Sequence, residues 1–270
     1  MESIYEAGGH IHTALTLPDD RARGKSGRVY LDAFCASHGI PLFKVASIND
    51  AGAMAWLRAA TLDWLFIVGW SQIAEPAVLD APRYGVLGMH PTLLPEGRGR
   101  AAVPWAILKD LKQTGVTLFK LDGGVDTGQI AAQLAIPLAE RETATRLYEK
   151  IEVAHRALLR DSWPDIAADT LQLRAQDDRC ATVWPGRRPE DGIIERALSI
   201  DDADRLVRAV TRPYPGAFVK LPMGRLRIWS ATPRHGRASD AVHRQADGRW
   251  VVPVRGGDLI GDEAEVESDT

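Results

Sequence analysis

Two apolar runs, DWLFIVGW at 63–70 and GVLGMH at 85–90, constrain this chain more than any other feature. Each has the length of a strand and lacks polar alternation. That is the pattern of a strand covered on both faces in a sheet flanked by helices. Segments of other periodicity surround them. HIHTALTL (10–17) and IPLFKV (40–45) read as strands. GRVYLDAFCASH (27–38) has helical spacing and stops at Gly39, and NDAGAMAWLRAA (49–60) opens on an Asn/Asp cap. The order is strand, helix, strand, helix, strand, short helix, strand. It predicts an α/β fold with a doubly wound, mostly parallel sheet.

VPWAILKDLK (103–112) continues as a helix, and TGVTLFKL (114–121) and GQIAAQLAIPL (128–138) as strands. A long helix spans 143–166, with Thr143 as its cap. After Thr182 the texture changes to short strands and turns, interrupted by one helix, SIDDADRLVRAVT (199–211). This predicts a small β-rich domain, an OB-like open barrel. The expected organisation is a catalytic domain at 1–175, a second domain at 182–256 and a frayed acidic tail at 257–270.

Hydrophobic residues make up 45% of the 270, enough for a sizeable core. No apolar run approaches the roughly 18 residues of a membrane-spanning helix. No basic segment followed by an apolar one opens the chain, so a cytoplasmic protein is expected. Cys35 and Cys180 lack metal spacing and read as packing residues, so no metal site is expected. The net charge is −3, and residues 180–270 carry fourteen basic and fourteen acidic side chains. That balance disfavours a nucleic-acid partner. GKS at 24–26 lacks the upstream glycine and the strand–turn–helix frame of a phosphate loop.

GMHPTLLPEGRGRAAVPW (88–105) follows the second apolar run, so His90 lies at the carboxyl end of a strand, where open α/β sheets bind ligands. Pro91 and Pro95 stiffen the loop, Gly97 and Gly99 permit close approaches, and Arg98 and Arg100 offer forked donors to an anion. Downstream, KLDGGVDTGQI (120–130) places Asp122 and Asp126 around two glycines between two strands. Two readings stay open. His90 is a hydrogen-bonded loop residue and the aspartates shape a turn, or His90 and Asp126 handle a proton together.

These stretches, with RPEDGIIERALSIDDADRLVRAVTRPYPGAF, resemble the 10-formyltetrahydrofolate-dependent formyltransferases. That family includes methionyl-tRNA formyltransferases and the sugar-nucleotide and amine N-formyltransferases. The resemblance covers about residues 1–230, and His90 and Asp126 stand 36 positions apart, close to the family interval. It implies a Rossmann-like catalytic domain that passes a formyl group from 10-formyltetrahydrofolate to an amine, with His90 and Asp126 catalytic. The pterin would lie against Val68, Trp70 and Ser71, the Leu93–Leu94 corner, and the turn carrying Asp122 and Gly124. Arg98 and Arg100 would bind substrate, with Arg21, Arg23 and Lys25 as further cations toward a diphosphate. Trp105 is expected to pack its helix.

Two departures stand out. The family carries an asparagine two residues before the histidine, where this chain has Gly88. Such a donor is worth about 2.7–4 kcal/mol in comparable oxyanion holes. The opening MESIYEAGG resembles the end of the family's first helix, which leads to the expectation of a natural start about 15–20 residues upstream. The expected acceptor is a small-molecule amine, a nucleotide-linked amino sugar first. A hydroxyornithine-type amine, methionyl-tRNA, formyl-folate hydrolysis and a non-catalytic folate-binding role are the alternatives. No membrane partner is expected, and a homodimer is compatible with the sequence.

Overall fold

A computed structural model describes residues 1–22, 26–222 and 224–268. The chain divides into two compact units. The first comprises residues 1–99, 114–136 and 151–183, and the second comprises 100–113, 137–150 and 184–270. The expected boundary between 175 and 182 therefore sits close to the last division. The expected uninterrupted catalytic domain, however, gives up 100–113 and 137–150 to the second unit.

The first unit opens with α1 (Glu2–Glu6), β1 (Ala14–Thr16), α2 (Asp19–Ala22), α3 (Asp32–Ser37), β2 (Leu42–Lys44) and α4 (Ala51–Ala59). It continues through β3 (Trp64–Val68), α5 (Pro76–Leu79), β4 (Gly85–His90) and the two-residue β5 (Arg98–Gly99). After α6 (Ala102–Leu108), which belongs to the second unit, come β6 (Gln113–Lys120), β7 (Ile130–Pro137) and the long α7 (Ala144–Ala168). The expected cap of α7 forms, with Thr143 Oγ1 accepting from Arg146 N at 3.3 Å.

Apart from the two-residue β5, the strands form two ladders rather than one sheet. β1 pairs with β2 in parallel, and a four-stranded sheet runs β3–β4–β6–β7. Within it β3–β4 is parallel and β4–β6 antiparallel. The parallel character predicted from sequence is thus present and stops at β4. Val86 and Leu87 of β4 and Val116 and Leu118 of β6 are almost fully buried, as apolar central strands should be. β3 differs from expectation. Its run is equally apolar, yet its residues are only half-buried and Val68 is exposed. The reason is position: β3 ends the ladder, and the outer edges of β1 and β3 have no ladder partner among the described residues.

The second unit is built on a five-stranded antiparallel sheet ordered β11–β12–β13–β10–β9. After the two-residue β8 (Val183–Trp184) and the helix α8 (Ile200–Val210), its strands are β9 (Ala217–Leu221), β10 (Gly224–His235), β11 (His243–Arg244), β12 (Trp250–Val254) and β13 (Gly257–Glu267). Register shifts between Ile228 and Ala231 interrupt the β10–β13 ladder, the device by which a sheet bends toward a barrel. Ser199 caps α8 by accepting from Asp202 N at 3.1 Å, and α8 buries Ala203, Leu206 and Val207.

The acidic tail expected at 257–270 is corrected. Residues 257–267 are a strand, paired with β10 along its length and with β12 over 257–261. Leu259 and Ile260 are core residues, and the acids find cross-strand cations: Arg234 donates to Asp258 at 2.6 Å, and Arg227 to Glu267 at 2.7 Å. Cys35 is buried as expected, whereas Cys180 is exposed. Among the described residues no helix is long and apolar enough to cross a membrane.

Candidate active site

β4 delivers His90 to the carboxyl edge of the four-stranded sheet, paired in register with Thr117 of β6 and buried to 8% exposure. Its Nε2 lies 2.8 Å from the Gly97 carbonyl oxygen. A carbonyl only accepts, so Nε2 carries the proton in this contact. Nδ1 faces Asp126 Oδ2 at 3.6 Å. Asp126 sits in the left-handed region at φ 54°, in the turn between β6 and β7. Its Oδ2 accepts from Gly99 N at 2.8 Å. The segment 97–99 therefore touches both members of the pair.

The loop after His90 is held by a closed polar set. Thr117 Oγ1 donates to the Thr92 carbonyl at 2.7 Å and accepts from Leu94 N at 3.1 Å. Gln133 Nε2 donates to the Leu94 carbonyl and to Thr117 Oγ1. Leu93 closes over Gly115, where a β-carbon would collide with the Leu93 side chain. Leu94 was expected to face the pterin. Its side chain is instead buried with Phe119 and Ile130, so it anchors the loop from below. Leu93 remains half-buried at the loop's surface.

The register Val68–Met89 places the end of β3 beside the residue preceding His90. Val68 and Ser71 are exposed there, Gly69 takes φ 65°, and Trp70 Nε1 donates to Gln72 Oε1 at 3.3 Å. In the opposite turn, Asp122 Oδ1 accepts from Gly124 N at 3.0 Å and from Thr127 Oγ1 at 2.6 Å. Asp122 and Gly124 are exposed, and this bonding shapes the turn that carries Asp126. Gly128 has no room for a side chain against the Lys120 carbonyl, which fixes the turn's far end.

Gly88 is not a vacant donor position. A β-carbon there would run into Leu121 Cδ1 and come within 3.1 Å of Phe119 Cε1. Leu121 and Phe119 thus crowd the first atom of any side chain at this position.

Arg98 is a correction. It was expected to meet a substrate anion. Instead it is buried, its Nε and Nη2 donate to Gln176 Oε1 at 3.0 and 2.8 Å, and Nη2 also donates to Asp178 at 2.7 Å. A guanidinium so engaged is a structural clamp. Arg100 is exposed and belongs to the second unit. Arg21 is exposed at the end of α2, and Arg23 and Lys25 lie outside the described residues. Trp105, half-buried in α6, donates from Nε1 to the Pro185 carbonyl at 2.8 Å. Sequence reasoning missed Thr117, Gln133, Gln176 and Thr182, whose roles depend on contacts up to 85 residues away in the chain.

A family model described as formyl transferase matches residues 19–161, and one described as formyl transferase, C-terminal domain, matches residues 187–267. The chain is 33% identical over 233 residues to a methionyl-tRNA formyltransferase of Agathobacter rectalis, covering 86% of this chain and 75% of that protein. Among solved structures, an N-formyltransferase from Helicobacter canadensis in complex with folinic acid and dTDP-3-aminofucose superposes with a TM-score of 0.69. Identity is 17%, over 98% of this chain and 94% of that one. HypX from Aquifex aeolicus in complex with tetrahydrofolic acid gives a TM-score of 0.71 at 16% identity, over 96% of this chain. The chain spans only 45% of the length of HypX.

Proposed function

The chain belongs to the formyl transferase family, and from that premise we propose that it moves a formyl group from 10-formyltetrahydrofolate to a primary amine, using His90 and Asp126. The observation that carries the reading is the placement of His90 between the Gly97 carbonyl, 2.8 Å from Nε2, and the Asp126 carboxylate, 3.6 Å from Nδ1. With Nε2 committed to the Gly97 carbonyl, Nδ1 is the basic nitrogen, and it points at the carboxylate of Asp126.

The amine attacks as its neutral form. Its lone pair makes the new C–N bond while the formyl C=O pair moves onto oxygen. The ammonium formed must lose a proton, and the folate nitrogen must gain one as its C–N bond breaks. Nδ1 of His90 accepts the first proton, becoming an imidazolium stabilised by Asp126, and returns a proton as the folate leaves. The positive ring also offsets the charge of the tetrahedral intermediate. Asp126, held by Gly99 N, keeps its carboxylate facing the ring throughout.

The pterin would rest against the exposed ends of β3 at Val68 and Ser71, the Leu93 surface and the 122–126 turn. The family's dependence on a folate donor supports this placement, as do the open backbone edges around Gly69 and Gly124. For the acceptor, the neutral charge of residues 180–270 and the Helicobacter neighbour favour a nucleotide-linked amino sugar. The Agathobacter relative favours methionyl-tRNA as the second reading. The test is a panel of acceptors given with 10-formyltetrahydrofolate: a dTDP-linked amino sugar, hydroxyornithine, methionyl-tRNA, and no acceptor. Formylated amino sugar is the expected product. Formyl-methionyl-tRNA alone would move the reading to tRNA. Tetrahydrofolate and formate without acceptor would replace it with hydrolysis.

A further inference from the structure

We propose that Gln176, acting through Arg98, is the positioning residue that fixes the separation and the tautomer of the His90–Asp126 pair; this rests on reading that pair as the reacting groups. Gln176 lies in the connection after α7, where nothing in the local sequence marks a functional position. Its amide uses both ends. Nε2 donates to the carbonyls of Asp126 at 2.8 Å and Gly128 at 2.7 Å, and Oε1 accepts from Arg98 Nε and Nη2. Two N–H groups meet two carbonyls, and one oxygen meets a two-pronged guanidinium, so every hydrogen-bonding site of the side chain is filled. The reverse orientation would set oxygen against two carbonyls and an amino group against a cation. The amide can therefore take one orientation only.

The consequence runs through the segment 97–99. Its Arg98 side chain is tied to Gln176, its Gly97 carbonyl holds the proton of His90, and its Gly99 N–H holds the carboxylate of Asp126. Gln176 also grips the Asp126 backbone directly. One side chain thus references both reacting groups to the same point. Thr182 completes the frame. Its Oγ1 accepts from Gly97 N at 2.8 Å and its carbonyl accepts from Arg98 N at 2.9 Å. Arg98 is buried and Gln176 half-buried, and a network whose polar groups are all partnered holds its members in place. If Gln176 is lost, segment 97–99 can drift, and both the proton on Nε2 and the 3.6 Å gap to Asp126 drift with it.

The experiment uses the full chain and two variants, Gln176→Glu and Arg98→Lys. The first keeps the volume and the acceptor for Arg98 but turns a carboxylate oxygen on two carbonyls. The second keeps the positive charge but loses the fork. Folding is checked by circular dichroism. Side-chain 15N spectra of histidine-labelled protein, with His90 assigned by His90→Gln, report which ring nitrogen is protonated. In the wild type His90 should carry its proton on Nε2. In either folded variant the ring pattern should move toward a mixture of tautomers, and kcat should fall about 10²-fold while KM changes little. Two folded variants with the wild-type His90 pattern and wild-type kcat would overturn the proposal. If the wild type formylates no amine, the functional reading falls, while the 15N pattern still decides the positioning role.

Discussion

Placing asparagine at Gly88 would restore the side chain that the family resemblance associates with this position, and the structure argues that it will not help by itself. A β-carbon on Gly88 lies 3.1 Å from Phe119 Cε1 and 3.4 Å from the Ile67 carbonyl oxygen, and it collides with Leu121 Cδ1. Phe119 is 4% exposed and packed with Leu94 and Ile130, so it cannot swing aside without disturbing the anchor of the His90 loop. Leu121 is half-buried and must give way. Overpacking of this kind costs about 1–3 kcal/mol. At about 2–4 °C per kcal/mol for domains of 150–250 residues, Tm should fall by about 2–12 °C. The donor's value of about 2.7–4 kcal/mol requires an amide that reaches the formyl oxygen, and an asparagine here must first displace Leu121. Gly88→Asn should therefore lose stability without gaining rate. Leu121→Ala combined with it should recover part of the loss, giving a coupling of about 0.5–3 kcal/mol between the two sites. Urea denaturation of the two single variants and the double variant, with kcat measured for each, decides this. A Gly88→Asn protein as stable as the wild type, with strictly additive double-variant energies, would refute the argument.

Burial pushes the His155 imidazole down to about 4, against the opposing charge of Glu152, and its Nε2 has no partner among the described residues. The ring is neutral in the folded chain and titrates near its ordinary value when unfolded. Its contribution is thus intact above about pH 6.5 and lost as pH falls toward 4, by at most about 3 kcal/mol. His155→Phe should flatten that acid limb in denaturant midpoints measured from pH 7 to 5, and an unchanged limb would exclude the assignment. Truncation after Gly256 removes β13 and the buried Leu259 and Ile260. The second unit should lose its cooperative melt, since each such side chain is worth about 1.5–3 kcal/mol. A native melt in the truncated protein would return those residues to the status of a tail.

Much of the fold was legible because its signals are local. The apolar runs of β4 and β6, the helix stops and the Thr143 cap need only a few neighbouring residues to be read. What was misread depends on distant partners. β13 looked like a solvated tail because its acids are numerous, but Arg227 and Arg234 lie across the ladder and neutralise them. β3 looked central because its run is apolar, yet it ends its ladder. In the site, His90 and Asp126 stood out by motif and are brought face to face. Arg98 looked like a free cation because Gln176 and Asp178 are 78 and 80 residues away in the chain. Gly88 looked like an absence until Leu121 and Phe119 were seen to fill the space.

The central claim is that the His90–Asp126 pair carries the proton traffic of formyl transfer. Single-turnover transfer from 10-formyltetrahydrofolate tests it most directly, comparing the wild type with Asp126→Asn. The asparagine can still accept from Gly99 N, so the turn should keep its shape while the charge facing His90 disappears. The account predicts a transfer rate lower by about 10²–10⁴-fold with folate affinity unchanged. Transfer within a few-fold of the wild-type rate would contradict it.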